Sequence, residues 1–150
     1  MGKSLETVQI DNFEVDGLVI RTINNEVLKE PIIPNLWKKF IDEEVFEKIP
    51  HKANSTFIYA VYTDYESDVH GHYTLLIGAK VQDSKNELPN NFEKRMVHEG
   101  KYVVFTALNQ EKVFEAWMEI WNTPLDRAYT SDFECYDLTT GQVKIYIAVH

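Results

Sequence analysis

Two kinds of hydrophobic pattern alternate along this chain. Apolar positions at every second residue, in segments rich in Val, Ile, Tyr and Phe, predict β-strands. These segments are GLVIRTI, FIYAVYTDYE, GHYTLLIGAKV, GKYVVFTAL, SDFECYDL and GQVKIYIAV. Trp37 and Phe40, and later Val113, Trp117 and Ile120, instead fall three or four residues apart. That spacing predicts helices in PNLWKKFIDEEVF and QEKVFEAWMEIWN.

Prolines and an asparagine mark the predicted ends of the two helices. Pro34 suits the first turn of the first helix, and Pro50 lies just beyond its expected end. Asn109 is a suitable N-cap for the second helix, and Pro124 marks its stop. The sequence therefore predicts two helices, each with a strand before it and two strands after it.

This order, β-α-β-β, occurs twice. A glycine at 71 and another at 141 each begin a similar β-rich segment, an offset of 70 residues. The pattern predicts a single domain over 1–150, with repeats at about 13–81 and 98–149 and a connection at 82–91. We expect an α+β fold with pseudo-two-fold symmetry, in which helices cover one face of an antiparallel sheet. The opposite face, near the symmetry axis, is expected to form a ligand cleft.

Composition narrows the classes of function. The chain has 150 residues, 44% of them hydrophobic and 13% aromatic, with a net charge of −9. An acidic chain without a basic run is a poor candidate for direct nucleic-acid binding. With one cysteine, no intramolecular disulfide is possible, and no apolar run is long enough to span a membrane. We expect a cytoplasmic protein that requires no cofactor.

The stretch DYESDVHGH, residues 64–72, resembles a metal site only in part. Asp64, Glu66 and Asp68 alternate like the start of a calcium loop, but Val69 and Leu75 occupy the positions of its glycine and its final glutamate. The two histidines nearby have no third ligand at suitable spacing. An acidic hairpin turn is the simpler interpretation, and no metal site is predicted.

Glu134 is an unusual residue for the middle of a strand. Alternation places it on one face with Asp132, Tyr136 and Leu138, and burying a carboxylate is costly unless it has a partner. The strand pattern alone equally fits a solvated glutamate on an exposed face. In the last strand, Tyr146 lies on the face opposite Val143, Ile145, Ile147 and Val149, which we expect to lie under the helices.

Five segments together resemble a known family: IPNLWKKF, YAVYTDYESD followed by GHYTLLIGAKV, HEGKYVVFTAL, DFECYDL and IYIAV. They are similar to the gyrase-inhibitor-like small-molecule-binding domain, the effector-binding domain of multidrug-binding bacterial transcription regulators. The resemblance extends from about Phe13 to Val149 and implies that Glu134, Tyr136 and Tyr146 line a ligand cavity. Fused family members carry a DNA-binding domain, for which this chain leaves no room. A standalone binding protein is therefore expected.

Other aromatic residues are candidates for the walls of the same cavity. The repeat offset pairs Tyr62 with Asp132, which makes Tyr62 a candidate wall, and it also pairs Asp64 with Glu134. Trp37 and Trp121 would close the cleft if the helices tilt toward it, whereas core packing is the better interpretation of Trp117. Tyr136 and Tyr146 also fit a simpler interpretation as cross-strand packing neighbours.

Three functions remain open at this stage. The first is binding of small hydrophobic or cationic aromatic compounds, because a half-buried carboxylate among tyrosine rings favours a cation. The second is a small-molecule hydrolase in which Glu134 transfers the proton, since a desolvated glutamate has a pKa nearer neutrality. The third, an interaction with DNA gyrase as a protein partner, follows only from the resemblance.

Overall fold

The computed structural model describes residues 5–82, 88–89 and 91–150. Four helices are present in this part of the chain: α1 (Asn24–Val27), α2 (Ile32–Asp42), α3 (Val45–Lys48) and α4 (Val113–Trp121), the last preceded by a 3₁₀ turn at Gln110–Lys112. The strands are β1 (Glu6–Ile10), β2 (Phe13–Ile23), β3 (Phe57–Thr63), β4 (His72–Val81), β5 (Glu93–Val97), β6 (Gly100–Ala107), β7 (Arg127–Asp137) and β8 (Val143–Val149). None of these helices is long and apolar enough to cross a membrane. Most of the connection predicted at 82–91 lies outside the described residues.

All the strands join one antiparallel sheet in the order β1-β6-β8-β7-β3-β4-β2-β5. The two repeats meet at the β7–β3 pair, where Tyr62 lies opposite Asp132. The predicted α+β fold with tandem repeats is confirmed. The predicted repeats did not include β1 and β5, and these strands are exchanged. β1 pairs with β6 of the second repeat, and β5 pairs with β2 of the first repeat.

The ends of the helices agree with the prediction in part. Pro34 lies in the first turn of α2, as expected. The predicted helix over 34–46 is interrupted by Glu44, whose φ of 51° lies in the left-handed region, and the chain restarts there as α3. Asn109 precedes the 3₁₀ turn, but its side chain makes no capping hydrogen bond. Its backbone carbonyl accepts a hydrogen bond from Lys112 N at 3.1 Å instead.

Two hydrophobic cores fill the space between the sheet and the helices. Leu36 and Phe40 of α2 pack with Leu75 and Ile77 of β4 in a core that α3 extends. The second core lies under α4 and joins Ala116 and Ile120 to Val103, Phe105, Val143, Ile145 and Ile147. The prediction that the apolar face of β8 lies beneath a helix is therefore confirmed.

The sheet is strongly curved, so that side chains from distant strands meet on the face away from the helices. Phe13 of β2 and Phe133 of β7 have ring centroids 5.4 Å apart, although β4 and β3 lie between their strands. Three strand spacings in a flat sheet would separate them by roughly 14 Å. Tyr59 and Tyr102 complete this third core. Aromatic side chains fill the centre of this face, and a groove lined by Tyr59, Phe133 and Tyr146 lies beside them, so a ligand cleft on this face stays a prediction.

Candidate functional site

Glu134 lies near the middle of the sheet and is almost fully buried. It pairs with Ala60 of β3 and Ile145 of β8, and its exposed fraction is 2%. Three side chains donate hydrogen bonds to its carboxylate. Tyr62 Oη and Trp117 Nε1 reach Oε2 at 2.9 and 2.6 Å, and Tyr136 Oη reaches Oε1 at 2.6 Å. Both carboxylate oxygens therefore have partners, as the cost of burying a carboxylate requires.

The register of the sheet determines which way Glu134 points. Residues directly opposite each other in an antiparallel pair share a face. Glu134 is opposite Ile145, which packs beneath α4, so the carboxylate faces the helices. The cleft was predicted on the face away from the helices, and that placement is wrong for Glu134. The carboxylate lies between the centre of the sheet and the α4 residue Trp117.

The electrostatics of Glu134 combine two opposing effects. Burial raises the pKa of the Glu134 carboxyl, and the hydrogen bonds from Tyr136, Trp117 and Tyr62 oppose that rise. Burial and the nearby glutamate also raise the pKa values of Tyr62 and Tyr136 well above the ordinary value, so both phenols remain protonated donors. Among the described residues no Lys, Arg or His forms an ion pair with Glu134. When ionised, this carboxylate is surrounded by neutral groups.

An aromatic cavity lies next to this carboxylate. Its volume is about 80 Å³, and its walls include Tyr62, Tyr65, Tyr73, Trp117, Trp121 and Arg127. Glu134 lies directly behind the wall, because Tyr62 and Trp117 both line the cavity and donate to its carboxylate. Leu28 of the segment after α1 and Phe114 of α4 also line the cavity, with exposed fractions of 63% and 55%.

A second buried carboxylate lies two residues before Glu134 on the same face of β7. Asp132 is fully buried and accepts hydrogen bonds from Arg127 Nη2 at 2.8 Å, from Ala148 N at 2.8 Å and from the Tyr65 hydroxyl. The pairing of β7 with β8 shifts between Arg127 and Asp132, and this irregularity brings the two residues together. Sequence analysis missed this ion pair, because spacing alone does not reveal the shift.

The structure brings some of the predicted site residues together at this cavity. Tyr62 and Trp121 line it, and Tyr136 donates to Glu134 from the side nearer α2. Trp37 lies beyond Tyr136, at a centroid distance of 4.8 Å, and lines a separate groove along α2. A ligand-binding role remains a prediction for each of these residues.

Tyr146 does not share a face with Glu134. It is directly opposite Phe133 and stacks on that ring, with centroids 4.4 Å apart and planes 7° apart. Both rings line a groove on the opposite face of the sheet, together with Cys135. The expectation that Tyr146 and Glu134 line one cavity is therefore wrong, since the pairing of β7 with β8 sends the two side chains to opposite faces.

Two further residues differ from their expected roles. Trp117 packs on the core under α4, as predicted, but its indole N–H also reaches Glu134, a contact that helical spacing alone does not reveal. Asp64, paired with Glu134 by the repeat offset, lies beyond the end of β3 and forms an ion pair with Arg95 at 2.8 Å. Within the described ranges, no cluster of three His, Cys, Asp or Glu residues is suited to a metal ion.

Comparisons with known proteins find similarity over nearly the whole chain. Residues 6–149 match the family model Cass2, described as integron-associated effector binding protein. The putative transcriptional regulator protein YobU of Bacillus subtilis (strain 168) is 33% identical over 144 residues, which is 89% of each chain. An integron cassette protein from the mobile metagenome of Vibrio cholerae is also 33% identical, with a TM-score of 0.77 over 97% of this chain and 95% of that chain. The structure of SAV2435 bound to tetraphenylphosphonium shares the fold, with 16% identity and a TM-score of 0.73 over 99% of this chain and 94% of that chain.

Proposed function

This chain belongs to the family of integron-associated effector binding proteins, and from that premise we propose that it binds small amphipathic aromatic cations in the cavity beside α4. The resemblance to an effector-binding domain is confirmed by the family match over residues 6–149. Binding of small molecules is the function that this family membership supports. The preference for aromatic cations, and a role as sensor or sequestering protein, belong to the proposal.

The observation that carries the proposal is that the buried carboxylate of Glu134 has no counter-ion among the described residues. Its carboxylate is held by three neutral donors in a buried position, where the effective dielectric constant is low and a negative charge attracts a cation strongly. A cationic guest supplies the missing positive charge. Tyr62 and Trp117 line the cavity with aromatic faces, and each cation–π contact contributes roughly 0.5–2 kcal/mol.

The size of the cavity indicates how a larger effector enters. A volume of about 80 Å³ is smaller than an ordinary ligand pocket, which measures roughly 300–1,000 Å³. A bulky cation therefore requires the rim to open. Phe114 on α4 and Leu28 after α1 form exposed apolar parts of that rim, so separating these two segments would enlarge the cavity. The solved structure of SAV2435, a protein of the same fold, contains tetraphenylphosphonium, a cation of that bulk.

Hydrolysis by Glu134 is the alternative function. A general acid or base must come within hydrogen-bond reach of the substrate. Glu134 is 2% exposed, and both of its carboxylate oxygens already accept hydrogen bonds. These contacts favour a fixed charge that attracts a ligand over a group that transfers a proton to it.

Binding of two ions with the same shape and opposite charge tests the proposal. Tetraphenylphosphonium and tetraphenylborate are titrated by calorimetry into the wild type and into Glu134→Gln. The glutamine fits the site, because its amide oxygen can accept from Tyr62 and Trp117 while its amide nitrogen donates to Tyr136. We expect the wild type to favour the cation at least about tenfold and the variant to lose most of that preference.

Two results would contradict the proposal. Equal affinity for the two ions in the wild type would mean that the charge of Glu134 does not contribute to binding. Absence of saturable binding would mean that the cavity is not a binding site for these ions. A parallel assay with 4-nitrophenyl acetate tests hydrolysis. Catalytic release of nitrophenolate that requires Glu134 would favour the enzyme.

A further inference from the structure

Arg127 is a second polar group at the aromatic cavity, and it lies apart from the Glu134 carboxylate that attracts the cation. We propose that the effector also carries a neutral hydrogen-bond acceptor, such as a ketone or ester carbonyl, about one aromatic ring away from its cationic centre, and that Arg127 donates to it. This inference rests on the proposed function, because it describes the ligand of the same cavity. It narrows the ligand class from aromatic cations to aromatic monocations with a carbonyl at the opposite end.

The first support is the incomplete hydrogen bonding of a buried guanidinium. Arg127 lines the cavity, and its side chain is 10% exposed. Nη2 donates to Asp132 at 2.8 Å, and the guanidinium carbon lies 4.5 Å from the centroid of the Tyr129 ring. Nε is buried and has no hydrogen-bond partner among the described residues. Buried donors nearly always have a partner, so we expect this unpartnered N–H to donate to a ligand acceptor once the rim of the cavity opens.

Spacing along β7 gives a first estimate of the distance between Arg127 and the position of the cation beside Glu134. Asp132 and Glu134 are two residues apart on one strand face, so their backbones are separated by roughly 7 Å. Arg127 is bound to Asp132, and the donors Tyr62 and Trp117 mark the position of Glu134. One benzene ring with substituents at its two opposite ends matches this separation.

The charges of the cavity explain why the acceptor is neutral. The guanidinium of Arg127 is already balanced by Asp132, and Glu134 adds one further negative charge whenever it is ionised. The three groups together carry one net negative charge, which a monocation neutralises. A carboxylate on the ligand would instead lie close to two carboxylates of the protein and would be repelled. A carbonyl accepts from Arg127 without that repulsion.

Three small probes with one scaffold test the inference. (4-Acetylphenyl)trimethylammonium carries the carbonyl, (4-isopropylphenyl)trimethylammonium has nearly the same shape without an acceptor, and 4-(trimethylammonio)benzoate carries a carboxylate. We expect the acetyl probe to bind the wild type about tenfold more tightly than the isopropyl probe, because a hydrogen bond from a charged donor is strong. The benzoate should bind more weakly than the acetyl probe.

Variants assign the preference to Arg127. Arg127→Lys retains a cation beside Asp132 but lacks the planar guanidinium, so the ratio of the two affinities should fall close to one. Arg95→Lys is the matched control, since Arg95 pairs with Asp64 and Glu93 elsewhere on the protein, and it should keep the wild-type ratio. The chain has three arginines, so the Nε–H signals in a nitrogen-15 NMR spectrum can be assigned with lysine variants. Only the acetyl probe should shift the Arg127 signal strongly downfield.

Each outcome bears on a different proposal. If the isopropyl probe binds and the acetyl probe binds no more tightly, Arg127 is a structural partner of Asp132 and the inference is wrong, while the proposed function stands. If the benzoate binds most tightly, the assignment of a neutral acceptor is wrong. If none of the cations binds, the proposed function fails together with the inference. Should Arg127→Lys not fold, the wild-type affinities and the Nε–H shift still decide.

Discussion

Asp132 and Glu134 have nearly the same position in the fold and opposite electrostatic surroundings. Both lie on the helix-facing side of β7, two residues apart, with exposed fractions of 0% and 2%. Asp132 is paired with the guanidinium of Arg127, whereas the described residues that donate to the Glu134 carboxylate are two tyrosines and a tryptophan, all neutral. The described part of the chain thus provides a counter-ion for one carboxylate and none for the other.

Because of this difference, we expect Asp132 to affect mainly the stability of the fold and Glu134 to affect mainly ligand binding. Breaking a buried ion pair by removing one partner leaves an uncompensated charge and is strongly destabilising. A buried carboxylate with neutral donors is costly even in the intact protein, and a cationic ligand removes part of that cost. Substitutions at Asp132 or Arg127 should therefore affect the fold first, and substitutions around Glu134 should affect ligand affinity and its pH dependence first.

The largest expected effect is the loss of the Asp132 counter-ion. Arg127→Leu should lower the free energy of unfolding by about 3–5 kcal/mol, because Asp132 then remains buried without its cation. Urea unfolding followed by circular dichroism measures this change. The double variant Arg127→Leu/Asp132→Asn should recover part of the loss, since it contains neither charge. A loss below about 1 kcal/mol in the single variant would place this pair in the class of weak surface ion pairs.

The next largest effect is the contribution of Glu134 to the pH dependence of the unfolding free energy. Burial raises the pKa of Glu134 above its ordinary value of 4.5, so the folded state binds more protons than the unfolded chain in the interval between the two pKa values. The stability contribution is complete below the ordinary value and is lost as pH rises through the folded pKa. The slope within that interval approaches about −1.4 kcal/mol per pH unit.

Urea unfolding of the wild type and of Glu134→Gln at successive pH values isolates this contribution, because the difference between the two curves removes the other titrating groups. Affinity for tetraphenylphosphonium should rise over the same pH interval in the wild type, since the ionised carboxylate attracts the cation. Parallel curves for the two proteins would show that Glu134 has the same pKa in the folded and unfolded states.

A smaller effect is expected from removing one donor to Glu134. Trp117→Phe retains an aromatic ring but deletes the N–H that reaches Oε2 at 2.6 Å. Trp121→Phe is the matched control, because Trp121 lines the same cavity and is not among the described donors to Glu134. At a pH where Glu134 is ionised, the first variant should lose about 1.5–3 kcal/mol more unfolding free energy than the second, the value of a hydrogen bond to a charged group. Equal losses would indicate that the indole N–H adds nothing beyond packing.

The smallest effect concerns Tyr146. Its ring lies on the opposite face of the sheet, so Tyr146→Phe should leave the affinity for tetraphenylphosphonium within about twofold of the wild type. Tyr62→Phe removes the same hydroxyl group from a residue that donates to Glu134, and it should weaken binding measurably. Calorimetric titration compares the two variants. A loss in Tyr146→Phe as large as that in Tyr62→Phe would place the ligand on the other face.

Local pattern was sufficient for part of this site. Alternation in β7 predicted that Glu134, Asp132 and Tyr136 share a face, and the bond from Tyr136 to Glu134 agrees with that. Which face this is depends on the register between β7 and β8, and a shift of one residue reverses every side chain. Glu134, and not Tyr146, was assigned to the wrong face for this reason, since Glu134 is opposite Ile145 beneath α4.

Other features depend on contacts between distant parts of the chain. Helical spacing identified Trp117 as a residue of the α4 stripe, but its reach to Glu134 depends on how α4 crosses the sheet. The pair of Arg127 with Asp132 depends on the local shift of pairing with β8, for which the sequence carries no turn signal. The strands β1 and β5 were not predicted, because five residues with weak alternation form a strand only when a partner edge is present.

The exchange of β1 and β5 makes the two repeats inseparable. Position 6 pairs with position 104, and position 13 pairs with position 97, so each half donates its first strand to the edge of the other. In a domain-swapped dimer the two protomers exchange an element in this way, whereas here the exchange occurs between two halves of one chain. Neither half alone can complete its own sheet. A fragment ending in the connection would have an unpaired edge strand, to which a second copy of the fragment can bind. Closing such long loops comes late in folding, so the two halves of this domain are expected to become stable together or not at all.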